Sequence, residues 1–152
     1  MSAELIERFY EAFSRRDHAA MAACYHPEVH FSDPVFPDLH GPMAAAMWRM
    51  LCERGTDLRL EYSAVTDTSA HWEAWYTFSA TGNAVHNVID ATFEVRDGLL
   101  VRHVDDFDFY AWSRQALGFT GLLLGWTPMV KNKVRSQAGR QLEKFAAKNR
   151  TG

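Results

Sequence analysis

His103 and Asp105 stand two residues apart in an alternating stretch, so in an extended strand they share one face. A neutral imidazole oriented by a carboxylate can shuttle protons near neutral pH; the same pair also serves as a structural hydrogen bond. Asp33, in Ser32-Asp33-Pro34, is either a strand end closed by an Asx-turn or a catalytic or ligand-contacting carboxylate. Asp90 is either a site acid or an interior acid satisfied by Tyr76 or backbone groups. Tyr76 shares a face with Trp72, Ala74 and Phe78, with Trp72 and Phe78 lining any cavity there. His86, His103 and Asp105 are the residues that could converge on a metal, but too few ligands gather for one to be assigned.

The elements that must position these groups are legible in the periodicity. Leu5, Ile6, Phe9, Tyr10 and Phe13 recur at helical spacing between Glu4, Glu7, Arg8 and Glu11, and Asp17 caps a second short helix that Pro27 stops. Val29 and Phe31 make a brief strand running into the loop at Asp33-Pro34, and Pro42 opens a third helix that ends by Gly55. From Leu58 the period changes to two. Strands follow over 58–62, 70–81, 85–96 and 99–110, with hairpin signals at Gly82-Asn83 and Asp97-Gly98. Tyr110 to Leu117 returns to helical chemistry, Gly118 to Trp126 is Gly-rich and apolar, and Met129 to Asn149 is an amphipathic helix. That helix carries Lys131, Lys133, Arg135, Arg140, Lys144 and Lys148, with Arg150 at its end, against the single acid Glu143. It reads as a solvated helix packed on the domain or on a second subunit, without stable membrane association.

Helices first and a meander afterwards predict an α+β domain in which a curved antiparallel sheet wraps its concave face around the N-terminal helices. The pattern on 85–96 has two sides: Ile89, Ala91, Phe93 and Val95 on one, and His86, Val88, Asp90, Thr92 and Glu94 on the other. In a monomer the apolar side is core and His86 and Asp90 face solvent. In a dimer it meets a second subunit.

At 152 residues the chain fits one core, and a hydrophobic fraction of 47% with 23% charged residues is that of a globular protein. A formal charge of −3 offers no field for nucleic acid. Cys24 and Cys52 are too few for a disulfide framework and lack CxxC spacing, so reduced thiols are expected. No secretory signal or bilayer-length apolar run is visible, and a cytoplasmic location is the expectation.

The order Ile6-Glu-Arg-Phe-Tyr-Glu-Ala-Phe, Asp17, His30-Phe-Ser-Asp-Pro-Val and Val88-Ile-Asp, followed by a last long strand, resembles the nuclear transport factor 2-like superfamily. Within it, ketosteroid isomerases and SnoaL-like polyketide cyclases look closest. The resemblance covers 3–110 and implies a cone-shaped domain over 1–110, with 111–152 as a C-terminal helical extension packed on it. It implies a pocket between sheet and helices and a homodimer through the outer sheet face, which turns Asp90 inward. Carried over by motif, the general base falls on Asp33 and the neutral acid on Asp90. In ketosteroid isomerases such a pair divides the work, one carboxylate taking a proton while a desolvated acid donates to the forming enolate. Where those isomerases carry a helix-1 Tyr, this chain has Phe9, and Tyr10 points about 100° round the helix. Tyr76 is the better substitute. His103 with Asp105 is similar to the pocket histidines of scytalone dehydratase-like members. The limonene epoxide hydrolase-like branch wants an Arg where Val88 stands.

The resemblance therefore implies a cofactor-independent enzyme of isomerase, cyclase or dehydratase type, acting on a small apolar carbonyl compound. Its catalytic candidates are Asp33, Asp90, Tyr76, His103 and Asp105, and its substrate-binding candidates are Phe9, Phe13, Trp72, Phe78, His86, Val88 and Phe107. His30, Glu94 and Asp106 are expected to be surface or hydrogen-bonded structural residues. The alternative is a non-catalytic ligand-binding or protein-interaction domain of the same fold.

Overall fold

The computed structural model describes residues 2–150; Met1, Thr151, Gly152 and the side chain of Arg150 lie outside the described residues. Helix α1 (Ser2–Ser14) buries Leu5, Ile6, Phe9, Tyr10, Ala12 and Phe13 along the face that the helical spacing predicts. Asp17 caps α2 (His18–Ala23), accepting the Ala20 N–H at 3.1 Å. Strand β1 (Tyr25–Ser32) starts earlier than the pattern at Val29 suggests. Pro27 fits because the ladder is irregular between Tyr25 and His30, where a missing N–H breaks no pairing. After the two-residue β2 (Leu39–His40) comes α3 (Pro42–Arg54), with Pro42 in its first turn.

The meander is β3 (Arg59–Ser63), β4 (Ser69–Phe78), β5 (Asn83–Arg96) and β6 (Leu99–Asp106), each antiparallel to the next. Asp97 and Gly98 both have positive φ, 55° and 73°, as the tight β5–β6 turn requires. One six-stranded sheet results, ordered β2-β1-β6-β5-β4-β3, with β1 joining β6 in parallel, a pairing that no hairpin signal announces. Three helices close the chain: α4 (Phe109–Leu117), α5 (Phe119–Leu124) and α6 (Pro128–Arg150). This is the cone-shaped α+β architecture expected from the sequence.

The core fills the concave side. Trp72 and Ala74 of β4, Ile89, Ala91 and Phe93 of β5 and Leu100 of β6 pack there with α1, Met47 and Trp48 of α3, and Leu142 and Phe145 of α6. Cys24 and Cys52 are both free and buried, and burial pushes the Cys52 thiol up to about 11. A second cluster joins Val85 to Phe109, Trp112 and Ala116 of α4. No helix among the described residues is long and apolar enough to cross a membrane.

The placement of the β5 apolar row corrects an expectation. Ile89, Ala91 and Phe93 are 1–4% exposed and face the helices, not an outer interface. The outer row His86, Val88, Asp90, Thr92 and Glu94 is exposed. The apolar row of β5 itself takes the core, and a bulge in β6 decides which β6 residues join it. Counting back from the two-residue turn pairs Asp90 with Asp105, but β6 has an extra residue opposite the Glu94–Val95 step, and Asp90 lies opposite Asp106 instead. Phe93 then sits beside His103 and Ala91 beside Asp105, so the histidine pair shares the core face and Asp90 the other. The apolar outer face that motivated a homodimer is therefore absent from β5. Accordingly, Phe93→Ala is expected to cost about 3–5 kcal/mol in urea unfolding and Asp90→Asn no more than about 1 kcal/mol; the reverse order would contradict this placement.

Candidate functional site

Because the β6 bulge turns His103 inward, its imidazole must be satisfied inside an aromatic box. Trp48 stacks on it at 5.7 Å and 11°, Phe93 lies at 4.4 Å, and Phe31 and Phe9 meet it edge-on at 5.0 and 5.4 Å. Both ring nitrogens are bonded. Nδ1 lies 2.8 Å from the Tyr25 hydroxyl, and Nε2 lies 2.9 Å from Asp105 Oδ1. The Trp48 indole N–H donates to the Tyr25 oxygen at 2.7 Å, and the Trp72 indole N–H donates to Asp105 Oδ1 at 3.3 Å. With Trp48 using one lone pair of the phenol, the Tyr25 proton goes to Nδ1 and the imidazole proton sits on Nε2, facing the carboxylate. A neutral imidazole spends every proton in this chain, which is why that tautomer fits.

Asp33 follows β1 at the same end of the sheet. Its Oδ1 accepts the N–H groups of Val35 and Phe36 at 2.7 and 2.6 Å, the Asx-turn expected of Asp before Pro. The turn does not exhaust the carboxylate, since Oδ2 has no donor among the described residues, and neither does Asp105 Oδ2. Burial pushes the Asp33 carboxyl up to about 7; the negative charge of Asp105 pushes the same way, while the Phe36 and Val35 N–H groups and the Arg135 guanidinium oppose. Arg135 of α6 also donates through Nε to the Pro34 carbonyl at 2.7 Å, so the C-terminal helix holds the loop that presents Asp33.

Tyr76 is the third member. Its oxygen accepts the Trp112 indole N–H at 2.7 Å, and its own proton has no acceptor among the described residues. Burial drives its pKa up to about 12, with the Asp33 charge adding to the rise, so it is a phenol with a proton to donate. Tyr10 is the one buried side-chain polar group without a partner among the described residues. Its hydroxyl is held far above the usual tyrosine range by burial and by Asp105.

The His103–Asp105 pair is bonded, and Asp33 lies within electrostatic reach of both Asp105 and Tyr76; Phe9, Phe13 and Trp72 are buried in the same core, with Phe107 packed against it. Phe78 belongs to the α4 cluster, edge-on to Trp112 at 5.3 Å. Asp90, His86 and Val88 are on the outer face, contrary to the inward placement that the resemblance implied. Asp90 pairs with His71 Nδ1 at 2.8 Å, and Glu73 bridges His71 and His86 at 3.1 and 2.7 Å. His86 also stacks on Trp75 at 4.6 Å. Glu94 and Asp106 are exposed as expected. Tyr25, Trp48, Trp112 and Arg135 escape sequence reasoning. Tyr25 reads as an apolar member of α2, yet it supplies an interior hydroxyl, stacking on Phe9 at 5.3 Å.

The metal trio considered from sequence is divided by the sheet, with His86 outside and His103 and Asp105 inside. Among the described residues His30, Asp38 and His40 bring potential ligand atoms within 4.8 Å of one another. Each histidine Nε2 lies 2.8 Å from Asp38 Oδ1, and these bonds hold the Asp38 carboxyl below its usual range. Two surface hollows, of about 260 and 550 Å³, touch neither Asp33 nor the histidine pair; Tyr76 lines the larger.

The titration of Asp33 has a sign. Its folded pKa of about 7 exceeds its ordinary 3.8, so the folded state holds the extra proton between those values and stability falls as pH rises through that window. The full loss is on the order of 4 kcal/mol. Asp33→Asn keeps an acceptor for both N–H groups. Urea unfolding at about pH 5 and about pH 8 is expected to show wild type losing stability relative to Asp33→Asn as pH rises; parallel profiles would refute the raised pKa.

Comparison with known proteins places these residues in a wider group. The SnoaL-like domain model matches residues 6–103. A candidate polyketide cyclase of Xanthomonas campestris pv. campestris is 23% identical, with a TM-score of 0.60 over 75% of this chain and 95% of that one. An LEH-like epoxide hydrolase of M. tuberculosis is 20% identical, with a TM-score of 0.56 over 85% of this chain and 94% of that one. TerC, crystallised with polyporic acid, is 20% identical, with a TM-score of 0.60 over 75% and 96%. These likenesses concern the fold. No curated protein matches the sequence.

Proposed function

The chain belongs to the SnoaL-like domain family, and from that premise we propose that it is a cofactor-independent enzyme performing acid/base chemistry on a small apolar carbonyl compound. The observation that carries this reading is the Asp33 carboxyl at about 7, within electrostatic reach of a protonated Tyr76 and of Asp105 in the His103–Asp105 pair. A base is most useful with a pKa near working pH. Asp33 Oδ2 takes the proton from carbon α to the carbonyl. The C–H electron pair becomes the enolate double bond, and the carbonyl π pair moves to oxygen, where the Tyr76 O–H donates. Returning the proton to another carbon completes an isomerisation; in a cyclisation the enolate carbon attacks a second carbonyl, forming the C–C bond, and the π pair of that carbonyl moves to its oxygen, which takes the proton back from Asp33. Asp105, oriented by His103 and Trp72, is the second proton acceptor. Among the described residues, those up to 110 form the domain of this site and those from 111 an extension packed on it, through Arg135 and Leu142.

Polyketide cyclases and an epoxide hydrolase among the structural neighbours support small-molecule chemistry. The competing reading, a ligand-binding or interaction domain without turnover, is favoured by the aromatic filling of the interior. Deuterium exchange at the α-carbon of a panel of cyclic ketones and 1,3-diketones separates the two. The expected kcat/KM rises with pH through about 7, falls about 10²–10⁴-fold in Asp33→Asn, and falls about 10²-fold in Tyr76→Phe. Exchange that is absent, or indifferent to Asp33→Asn, would sink the catalytic assignment.

A further inference from the structure

Helix α5 is built inside out. Its inner face is glycine: a Cβ on Gly121 would lie 1.9 Å from the Ser113 carbonyl oxygen, and one on Gly125 would lie 2.0 Å from Ser113 Oγ. The backbone of α5 is therefore pressed against α4, with one side-chain bond between the two helices and one that closes the end of the segment on itself. Tyr110 Oη donates to the Leu122 carbonyl at 2.8 Å, and the Trp126 indole N–H donates to the Leu123 carbonyl at 2.9 Å. The large apolar side chains of the same segment point away from the protein. Phe119 is 74% exposed, Trp126 71%, Met129 67%, and Leu122, Leu123 and Leu124 41–53%. Six such exposed side chains lie within eleven residues, a concentration of apolar surface that marks an interaction site more often than scattered single residues do.

Charge decides what covers it. Residues 109–142 contain Arg114, Lys131, Lys133, Arg135 and Arg140 and no Asp or Glu, in a chain whose net charge is −3. Arg114 and Lys133 are exposed, and Lys131 and Lys133 follow Met129 within about 6 Å of helix rise. A second copy docking patch to patch would set this cation-rich segment against itself, with only the exposed acids Asp108 and Glu143 at its two ends to pair with. A lipid surface carrying negative headgroups meets both properties, since Leu, Phe and Trp enter the interfacial zone while flanking Lys and Arg meet the phosphates.

We propose that the α5 segment, Phe119 to Met129, is a docking surface for anionic membranes, inserting its apolar side chains to interfacial depth while Arg114, Lys131 and Lys133 contact headgroups. The sequence alone argues against stable membrane association because the basic α6 is commonplace by itself; what changes the conclusion is the outward aim of α5. The proposal is independent of the catalytic assignment, because it uses no residue of the Asp33 cluster.

The test is flotation of the full chain with vesicles of pure phosphatidylcholine and with vesicles containing about one-third phosphatidylglycerol, alongside the exposed-residue variants Leu123→Ser/Trp126→Ser and Lys131→Gln/Lys133→Gln. Wild type is expected to float with the anionic vesicles at least about tenfold more than with the neutral ones, to shift Trp126 fluorescence to the blue, and to dissociate at about 1 M salt. Each variant, folded by circular dichroism, is expected to lose about tenfold or more. Absence of wild-type flotation, or flotation unchanged in Leu123→Ser/Trp126→Ser, would overturn the proposal. So would a dimer in light scattering that Leu123→Ser/Trp126→Ser dissociates, with no vesicle binding, because the patch would then be a self-interface.

Discussion

An imidazole taken out of water needs both nitrogens satisfied, because a buried polar group left without a partner costs about 1–3 kcal/mol. His103 has no exposed surface, and the interior is arranged around that fact. Trp48 brings α3 to Tyr25, Tyr25 brings the start of β1 to Nδ1, and Asp105 closes the other side with help from Trp72 on β4. Three strands and one helix are thereby fixed relative to one another by a single chain of donors and acceptors. Loss of any link strands another buried group, so the network imposes one geometry on the concave face.

That geometry leaves two carboxylates incompletely used. Asp105 and Asp33 each commit one oxygen to structure and keep the other, and burial together with mutual repulsion raises the proton affinity of Asp33. The turn at Asp33 and its chemistry are therefore not rival explanations: the same two backbone N–H groups that close the loop orient the free oxygen. Arg135, reaching from α6 to the loop, makes the C-terminal helix part of the site although the SnoaL-like match ends at residue 103. Tyr76 and Trp112 tie α4 to it as well.

Periodicity made the helices, the meander and the apolar side of β5 legible, and strand parity set Tyr76 with Trp72 and His103 with Asp105, whereas Asp33, in a loop after β1, is singled out by family likeness. The inward placement of Asp90 came from family likeness and fails because the apolar row of β5 takes the core, leaving Asp90 to pair with His71 outside; one inserted residue in β6 then separates the two acids, since without the bulge Asp90 and Asp105 would stand opposite on one face. A bulge of this kind leaves no mark in hydrophobic alternation, because Val101 looks like any strand residue. Tyr25 was obscured for a related reason, as a tyrosine counts toward an apolar stripe whether or not its hydroxyl is needed. The glycines of α5 were legible only as flexibility, whereas their structural meaning is close approach to Ser113.

The central claim is that the half-buried Asp33, beside a hydrogen-bonded interior, stands ready to exchange a proton near neutral pH. Titration of the Asp33 carboxyl carbon by NMR in the intact protein tests it most directly, assigned by comparison with Asp33→Asn. The account predicts a midpoint at about 7; a midpoint at the ordinary aspartate value of about 4 would contradict it.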